Sequence, residues 1–392
     1  MSRIIFHVDV NNAFLSWTAV YLLNNGYEKD IRTIPSVIGG DEEKRHGIVL
    51  AKSPVAKKYG IVSAESLYSA RSKCKNLEVY PANYDLYMEM SSKFVNYLRQ
   101  YTPLIEQTSV DECFLDLTNT KYLYDDIMRL AYKIKNEIKK QFGFTVNVGI
   151  ANNKLCAKMA SDFEKPDKVH TLFDYEIKDK MWPLPVGDLL FVGKRSRDIL
   201  VSIGINTIGD LANADEKLLS HYFKNRSSDL IRSARGIDDS IVDISYYQNK
   251  CISISRTLEK DTNNEKELKR ILLDMANKVG LRARRHNLFA NTIAITFKTS
   301  DFKNFSHQVK LVNPINNTMD IYKEAIKLYD NINHNLLIRS IGIRLGDLDE
   351  RKQVQVSLFD NKKNNDNIQK LMDDINNKYN STVVMPAVFY DK

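Results

Sequence analysis

The octet RIIFHVDV, residues 3–10, constrains this chain more than any other segment. Its apolar residues fall on both alternating faces, so as a strand it needs cover on each side and belongs at the centre of a sheet. Asp9 stands near its end. Asn11 or Asn12 then offers an N-cap, and AFLSWTAVYLL continues as a helix that stops near Gly26. The unpaired amides of residues 12–14 at such a helix start, together with the helix dipole, favour an anion.

Further along, residues 84–101 carry apolar side chains at helical spacing. Two strand-like runs follow, LIEQTSV and CFLDL, separated by Asp111-Glu112. A helix is expected over about 122–141, a strand at TVNVGIA, and a helix at NKLCAKMASDF with Asn152 as its candidate cap. The order β-α, small insert, α-β-β-α-β is that of a split βαβ layer. Composition shifts near Lys165-Pro166, and residues 183–236 read as short helices joined by Gly turns. From about residue 250 a strand-helix-strand pattern gives a second α/β layer. The Asn/Lys/Asp-rich DNKKNNDN, residues 360–367, reads as a mobile linker.

At 392 residues the chain has room for two to three domains, and 43% hydrophobic content excludes wholesale disorder. The net charge of +8 permits a polyanionic partner, but a solvated Lys-rich surface is the commoner explanation. Cys74, Cys113, Cys156 and Cys251 lie far apart and suggest buried, reduced thiols rather than a disulfide framework or a zinc site. His7 and Asp9 break the first apolar run, so it is no signal peptide. No apolar stretch approaches the roughly 20 residues of a membrane span. A soluble cytoplasmic monomer is expected.

Three acids hold the candidate chemistry. In an extended strand Asp111 and Glu112 would point to opposite faces, but at a hairpin turn both could face one site. Asp9 at an adjacent strand end would complete a carboxylate cluster. Three such groups repel unless hard cations neutralise them, which makes Mg²⁺ the natural partner. Two ions about 3.5–4 Å apart could activate a hydroxyl and stabilise a leaving pyrophosphate. Taken alone, these residues are better explained by a solvated turn plus an unrelated strand-end Asp.

Several segments together change that balance: HVDVNNAF (7–14), VIGGDEEKRHGIVLAKS (37–53), SVDECFLD (109–116), VGIANNKLCAKMASDFEKPDKV (148–169) and ARGIDDSIV (234–242). In content and spacing the chain resembles the Y-family, DinB/UmuC-type translesion DNA polymerases over roughly residues 3–360, closest to bacterial DNA polymerase IV-like proteins. GGDEE at 39–43 also resembles a nucleotide-cyclase signature, but the polymerase family has its own GGDP-like segment there.

The resemblance implies an α+β multidomain right hand. Its parts are a ferredoxin-like palm (1–25 and 80–165), small fingers (26–79), a helix-hairpin-helix thumb (166–240), an α/β little finger (245–350) and a tail (351–392) with a clamp-binding peptide. It implies a template-directed, low-fidelity DNA polymerase using deoxynucleoside triphosphates and two Mg²⁺ ions. Asp9, Asp111 and Glu112 are then the catalytic acids, with the Val10 carbonyl as a further metal ligand. Phe14 is the sugar-discriminating aromatic. Asn12, Ala13, Phe14, Lys57 and Lys165 would bind the triphosphate. Gly193, Lys194 and Arg195 in the hairpin, with Arg256, Arg282, Arg284 and Arg285, would hold primer-template DNA. Gln355, Leu358 and Phe359 of QVSLFD would dock on a sliding clamp.

The sequence departs from the family pattern in places. The usual Ser-Tyr-Glu-Ala-Arg reads Ser53-Pro54-Val55-Ala56-Lys57, which replaces a bidentate guanidinium with a point charge. Asn11 stands where many relatives have an acid, and Phe191 takes the hairpin's usual first glycine. Two alternatives are a UmuC-type subunit needing accessory proteins and a non-catalytic DNA-binding relative. A palm-domain nucleotide cyclase would share the acids but would need neither thumb nor basic stripe.

Overall fold

A computed structural model describes residues 3–40, 47–244, 250–331, 336–350, 362–379 and 383–384. The chain divides near residue 247 into two compact units. The first begins β1 (Ile5–Val10), α1 (Ala13–Asn24), β2 (Ser36–Gly39), β3 (Val49–Lys52), α2 (Pro54–Lys58), α3 (Leu67–Lys73), β4 (Glu78–Pro81) and α4 (Tyr84–Leu98). It continues β5 (Ile105–Gln107), β6 (Glu112–Asp116), α5 (Ile127–Phe142), β7 (Val146–Ala151), α6 (Lys154–Asp162) and β8 (Val169–Leu172). Four short helices end it: α7 (Lys194–Ser202), α8 (Ile208–Ala212), α9 (Glu216–Phe223) and α10 (Ser227–Ala234).

As its two apolar faces require, β1 is wholly buried at the centre of a five-stranded sheet of order β5-β6-β1-β7-β8. It is antiparallel to β6 and β7, while β7 and β8 run parallel. Phe6, Val8 and Val10 pack with Phe94, Ile134 and Ile138 of α4 and α5, whereas Ile5 packs with Ala157 and Met159 of α6. Alternation therefore turns His7 and Asp9 toward α6. Gly149 on β7 lets that helix lie close, since a Cβ there would sit 2.0 Å from the Ala157 carbonyl oxygen and 2.5 Å from the Ser161 amide.

Some expectations need correction. The fifth strand, β8, lies beyond residue 165, so the sheet runs past the expected palm boundary. The small insert forms a three-stranded sheet, β3-β2-β4, that extends to Pro81 rather than ending at 79. The helix expected from 122 starts at Ile127, because the Asp126 carboxylate accepts the Met128 and Arg129 amides and fixes the first turn there. Asn153, not Asn152, caps α6 by accepting from the Cys156 amide. Asn152 instead donates to the Arg3 carbonyl.

The ARGIDDS motif fastens the helical segment to the sheet layer. The Gly236 carbonyl accepts from Asn153 Nδ2 at 2.8 Å, and Asp238 accepts the Leu155 amide at 3.0 Å. Gly236 has φ of +73°, and a Cβ there would meet Ile177 Cδ1 at 2.4 Å.

The second unit runs β9 (Cys251–Thr262), α11 (Glu265–Arg285), β10 (Phe289–Thr299), β11 (Asn304–Ile315), α12 (Thr318–Asp330), β12 (Ile338–Asp349) and α13 (Lys362–Lys378). Its antiparallel sheet has order β11-β10-β12-β9. Ile293, Ile295, Ile341 and Ile343 pack under Leu272, Ala276 and Ile321 of α11 and α12. The stretch expected as a mobile linker is helical from Lys362, and Asp373 of that helix holds Arg284 through paired bonds of 2.5 and 3.0 Å. Three cysteines are buried as expected, but Cys251 at the start of β9 is exposed. None of the described helices is long and apolar enough to cross a membrane.

Because backbone atoms of α6 meet Gly149, Gly149→Ala has no flexible side chain to displace. A loss of about 3 kcal/mol is expected, toward the upper end for overpacked cores, read from the urea unfolding midpoint.

Candidate active site

A cavity of about 820 Å³ in the first unit is lined by Asp9, Val10, Asn12, Ala13, Phe14, Lys57, Asp111, Glu112 and Lys165. All of the acids, the sugar-side aromatic and the triphosphate residues expected from sequence thus face one space. Lys52, Ser53 and Lys58 join them from the insert.

The acids get there by register. Asp9 pairs directly with Glu112 across β1 and β6, so both carboxylates share the α6 face. Asp111 precedes β6 and escapes the alternation that would turn it away; its carbonyl accepts the Val10 amide at 3.0 Å, and its carboxylate accepts from Ser109 Oγ. Burial, and then the charges of Asp9 and Glu112, push the Asp111 carboxyl above its usual range. Burial would raise Glu112 too, but the hydrogen bond from His7 and then the Lys158 ammonium, 2.6 Å away, hold it down at about 2.

Lysines supply the positive charge. Lys158 of α6 bridges Glu112 and Asp9, the latter at 3.5 Å, and Lys165 bonds to Asp9 and, at 2.8 Å, to Asp162. Sequence reasoning reached Lys165 but missed Lys158. Its signal was available: Lys154, Lys158 and Asp162 recur every four residues along α6. His7 was missed as well. It is fully buried, burial lowers its pKa so that it stays neutral, Nδ1 meets Ser161 Oγ at 2.8 Å, and Nε2 faces Glu112 at 3.8 Å.

The lining donors are carboxylate and carbonyl oxygens, a set that suits a hard divalent cation. Among the described residues no three metal-ligating side chains converge on a point. The donor chemistry fits such a cation, while lysine ammonium groups hold Asp9 and Glu112.

At the start of α1, Asn12 adopts a left-handed conformation (φ 49°) and caps nothing with its side chain, so no side chain covers the first-turn amides. Asn11 is a buried anchor instead. It donates to Asn147 Oδ1 and accepts from Thr145 Oγ1 and from the Asp167 amide, which fixes the turn after Lys165. Phe14 stacks on Tyr87 with centroids 4.4 Å apart and planes at 11°, so its ring is held by packing. The departure at Pro54 has a local reason: it is the first residue of α2, whose Ser53 cap accepts the Ala56 amide.

The residues expected to hold DNA differ in how far they are free to meet a partner. Gly193 begins α7, and Lys194 and Arg195 lie exposed in its first turn. Phe191, in place of glycine, keeps the glycine-like φ of +70° and is 75% exposed. In the second unit Arg282 and Arg285 are exposed, but Arg284 is taken by Asp373 and the Asn316 carbonyl. Arg256 pairs with buried Ile341 and so lies on the helix-covered side of the edge strand. The uncovered face of that sheet carries Ser253, Ser255, Thr296, Lys298, Ser340 and Arg344, a hydroxyl-rich, cationic surface that the sequence reading did not single out. The peptide with Gln355, Leu358 and Phe359 lies outside the described residues.

A carboxylate centre on a split βαβ sheet, facing an uncapped helix start and two lysines, defines a protein of the palm-type nucleotide-handling class. Residues 8–162 match the impB/mucB/samB family model and residues 249–358 match that family's C-terminal domain. The chain is 47% identical to a DNA polymerase IV of Clostridium acetobutylicum over 100% of its own length and 99% of the relative's. It is 33% identical to DNA polymerase IV 1 of Bacillus subtilis, covering 98% and 92%. A solved Y-family DNA polymerase chimera superposes with a TM-score of 0.76 at 23% identity, covering 88% of this chain and 98% of that one, which establishes the shared fold. The chain belongs to the impB/mucB/samB family, the Y-family DNA polymerases of the DNA polymerase IV type.

Asn11→Asp would remove the donor to Asn147 and set a carboxylate against its oxygen, because Asn147 Nδ2 is already committed to the Ser161 and Glu164 carbonyls. A loss of about 1–3 kcal/mol in the urea midpoint is expected. Phe191→Gly should instead raise stability by about 1 kcal/mol through relief of the left-handed strain.

Proposed function

We propose that this protein extends a primer 3′-hydroxyl on a DNA template at low fidelity, with two Mg²⁺ ions held by Asp9, Asp111, Glu112 and the Val10 carbonyl. DNA-directed DNA polymerisation in translesion repair is the family's activity. The observation that carries the finer reading is the single cavity that gathers the three acids, the uncapped helix start, Phe14, Lys57 and Lys165.

The chain's own groups divide the work. The amides of Asn12, Ala13 and Phe14, with Lys57 and Lys165, bind the triphosphate by charge-assisted hydrogen bonds. Phe14, braced by Tyr87, lies under the sugar and collides with a 2′-hydroxyl. Bound Mg²⁺ supplies the Lewis-acid charge that makes the primer hydroxyl nucleophilic and the pyrophosphate a good leaving group. Lys57, a point charge on an exposed helix, grips phosphate less specifically than arginine would.

In this reading the palm, fingers, thumb and little finger have the extents given above, with the palm sheet lengthened to Leu172. A three-stranded insert offers little surface to check base-pair shape, which supports low fidelity. Lys194 and Arg195 and the open sheet face with Lys298 and Arg344 hold primer-template backbone. Leu358 and Phe359 are adjacent apolar residues in a polar tail, which supports a docking peptide that raises the effective concentration of the enzyme on a clamp. The protein acts as a cytoplasmic monomer.

Asp111→Ala and Glu112→Ala should each reduce primer extension by more than about 100-fold while DNA binding persists; activity retained in either removes that acid from the centre. Phe14→Ala should relax ribonucleotide exclusion by about tenfold or more, measured as the ratio of kcat/KM values. Arg344→Ala should lower the slope of log DNA affinity against log salt by about 1, measured by fluorescence anisotropy.

A further inference from the structure

We infer that Lys158 and Lys165 occupy the metal-binding carboxylates as internal cations, and that an arriving triphosphate draws Lys165 off Asp9, so that metal and nucleotide binding are positively coupled. The inference rests on the proposed metal and triphosphate roles and goes beyond them. Its basis is a continuous ion-pair chain. Glu112 is held by Lys158, Lys158 also faces Asp9, Asp9 is held by Lys165, and Lys165 reaches Asp162.

The two lysines differ in what they can do. Lys158 is only 15% exposed and stands on a helix fixed by Gly149 and by the Ser161 contacts to His7 and to the Lys158 carbonyl. It is a permanent partner, which limits how much charge a metal adds at Glu112. Lys165 is 39% exposed and lines the cavity where the triphosphate is proposed to lie. It is the mobile partner. With Asp111 and Asp162 included, two ammonium groups face four carboxylates, a residual charge that attracts a cation weakly while Asp9 stays paired. A polyphosphate offers Lys165 a stronger anion, and Asp9 is then released to a metal. Linkage requires the reciprocal effect: metal must raise polyphosphate affinity by the same factor. Lys158 acts as a positioning residue for the acids, whereas Lys165 exchanges between Asp9 and the triphosphate it binds.

The test is Mn²⁺ binding to the full chain, without DNA, followed by electron paramagnetic resonance with and without inorganic tripolyphosphate. In the wild type, tripolyphosphate should tighten Mn²⁺ binding by about tenfold, within the usual range of coupled sites. Lys158→Met and Lys165→Ala should each tighten binding of Mn²⁺ alone by about tenfold, and Lys165→Ala should abolish the tripolyphosphate effect. A structural role alone would weaken metal binding in both variants. Unchanged or weaker affinity for Mn²⁺ alone in Lys165→Ala, the more exposed and better tolerated change, overturns the inference even if Lys158→Met fails to fold. Asp9→Asn separates the two levels of the argument. Tight Mn²⁺ binding that survives Asp9→Asn refutes the metal-site reading and with it the inference. Binding lost in Asp9→Asn but unaltered by the lysine changes refutes only the lysine exchange.

Discussion

Asp9 and Glu112 sit directly opposite each other on neighbouring strands, a like-charge pairing that destabilises a sheet unless something neutralises it. The surroundings of this pair follow from that demand. Gly149 lets α6 press onto the sheet, and the helix delivers Lys158 to both carboxylates. The turn after α6 delivers Lys165, and Asn11 and Asn147 hold that turn through its backbone. Truncating either lysine would leave the other as the one ammonium group facing Asp9, and removing one partner of a buried pair costs more than the pair itself contributes.

The same geometry makes a binding site out of a structural problem. Strand ends with negative charge, a helix start without a cap and lysines on flexible stems are each unfavourable alone. Set around one cavity, they suit the magnesium triphosphate of the proposed function, in which cations and anions alternate. The segment of short helices α7 to α10 is built into this arrangement, because Gly236 and Asp238 bond the first turn of α6, the helix that carries Lys158.

Much of this was legible in the sequence, for identifiable reasons. A strand apolar on both faces has one place in a sheet, so the central position of β1 followed from RIIFHVDV alone. The three acids and Phe14, which line one cavity, were singled out because their motifs recur at family spacing. What stayed hidden depended on contacts distant in the chain. Lys158 is unremarkable until Gly149 shows how closely α6 approaches, and Arg284 looks like a DNA contact until Asp373, far along the chain, is seen to hold it. Arg256 is exposed, but its face of the strand is set by its partner Ile341, and the hydroxyl face with Arg344 was not singled out because hydroxyl residues scattered over three strands form no linear motif. The helix at 362–378 was obscured by an Asn-rich composition typical of linkers.

The most direct test is a crystal structure with primer-template DNA, a non-hydrolysable deoxynucleoside triphosphate and Mn²⁺, with the metal located by anomalous scattering. The account predicts anomalous density against Asp9 and Asp111, the triphosphate at the start of α1 with Lys165 turned onto it, and the deoxyribose over Phe14. Metal bound away from these acids, or a triphosphate seated elsewhere, would contradict it.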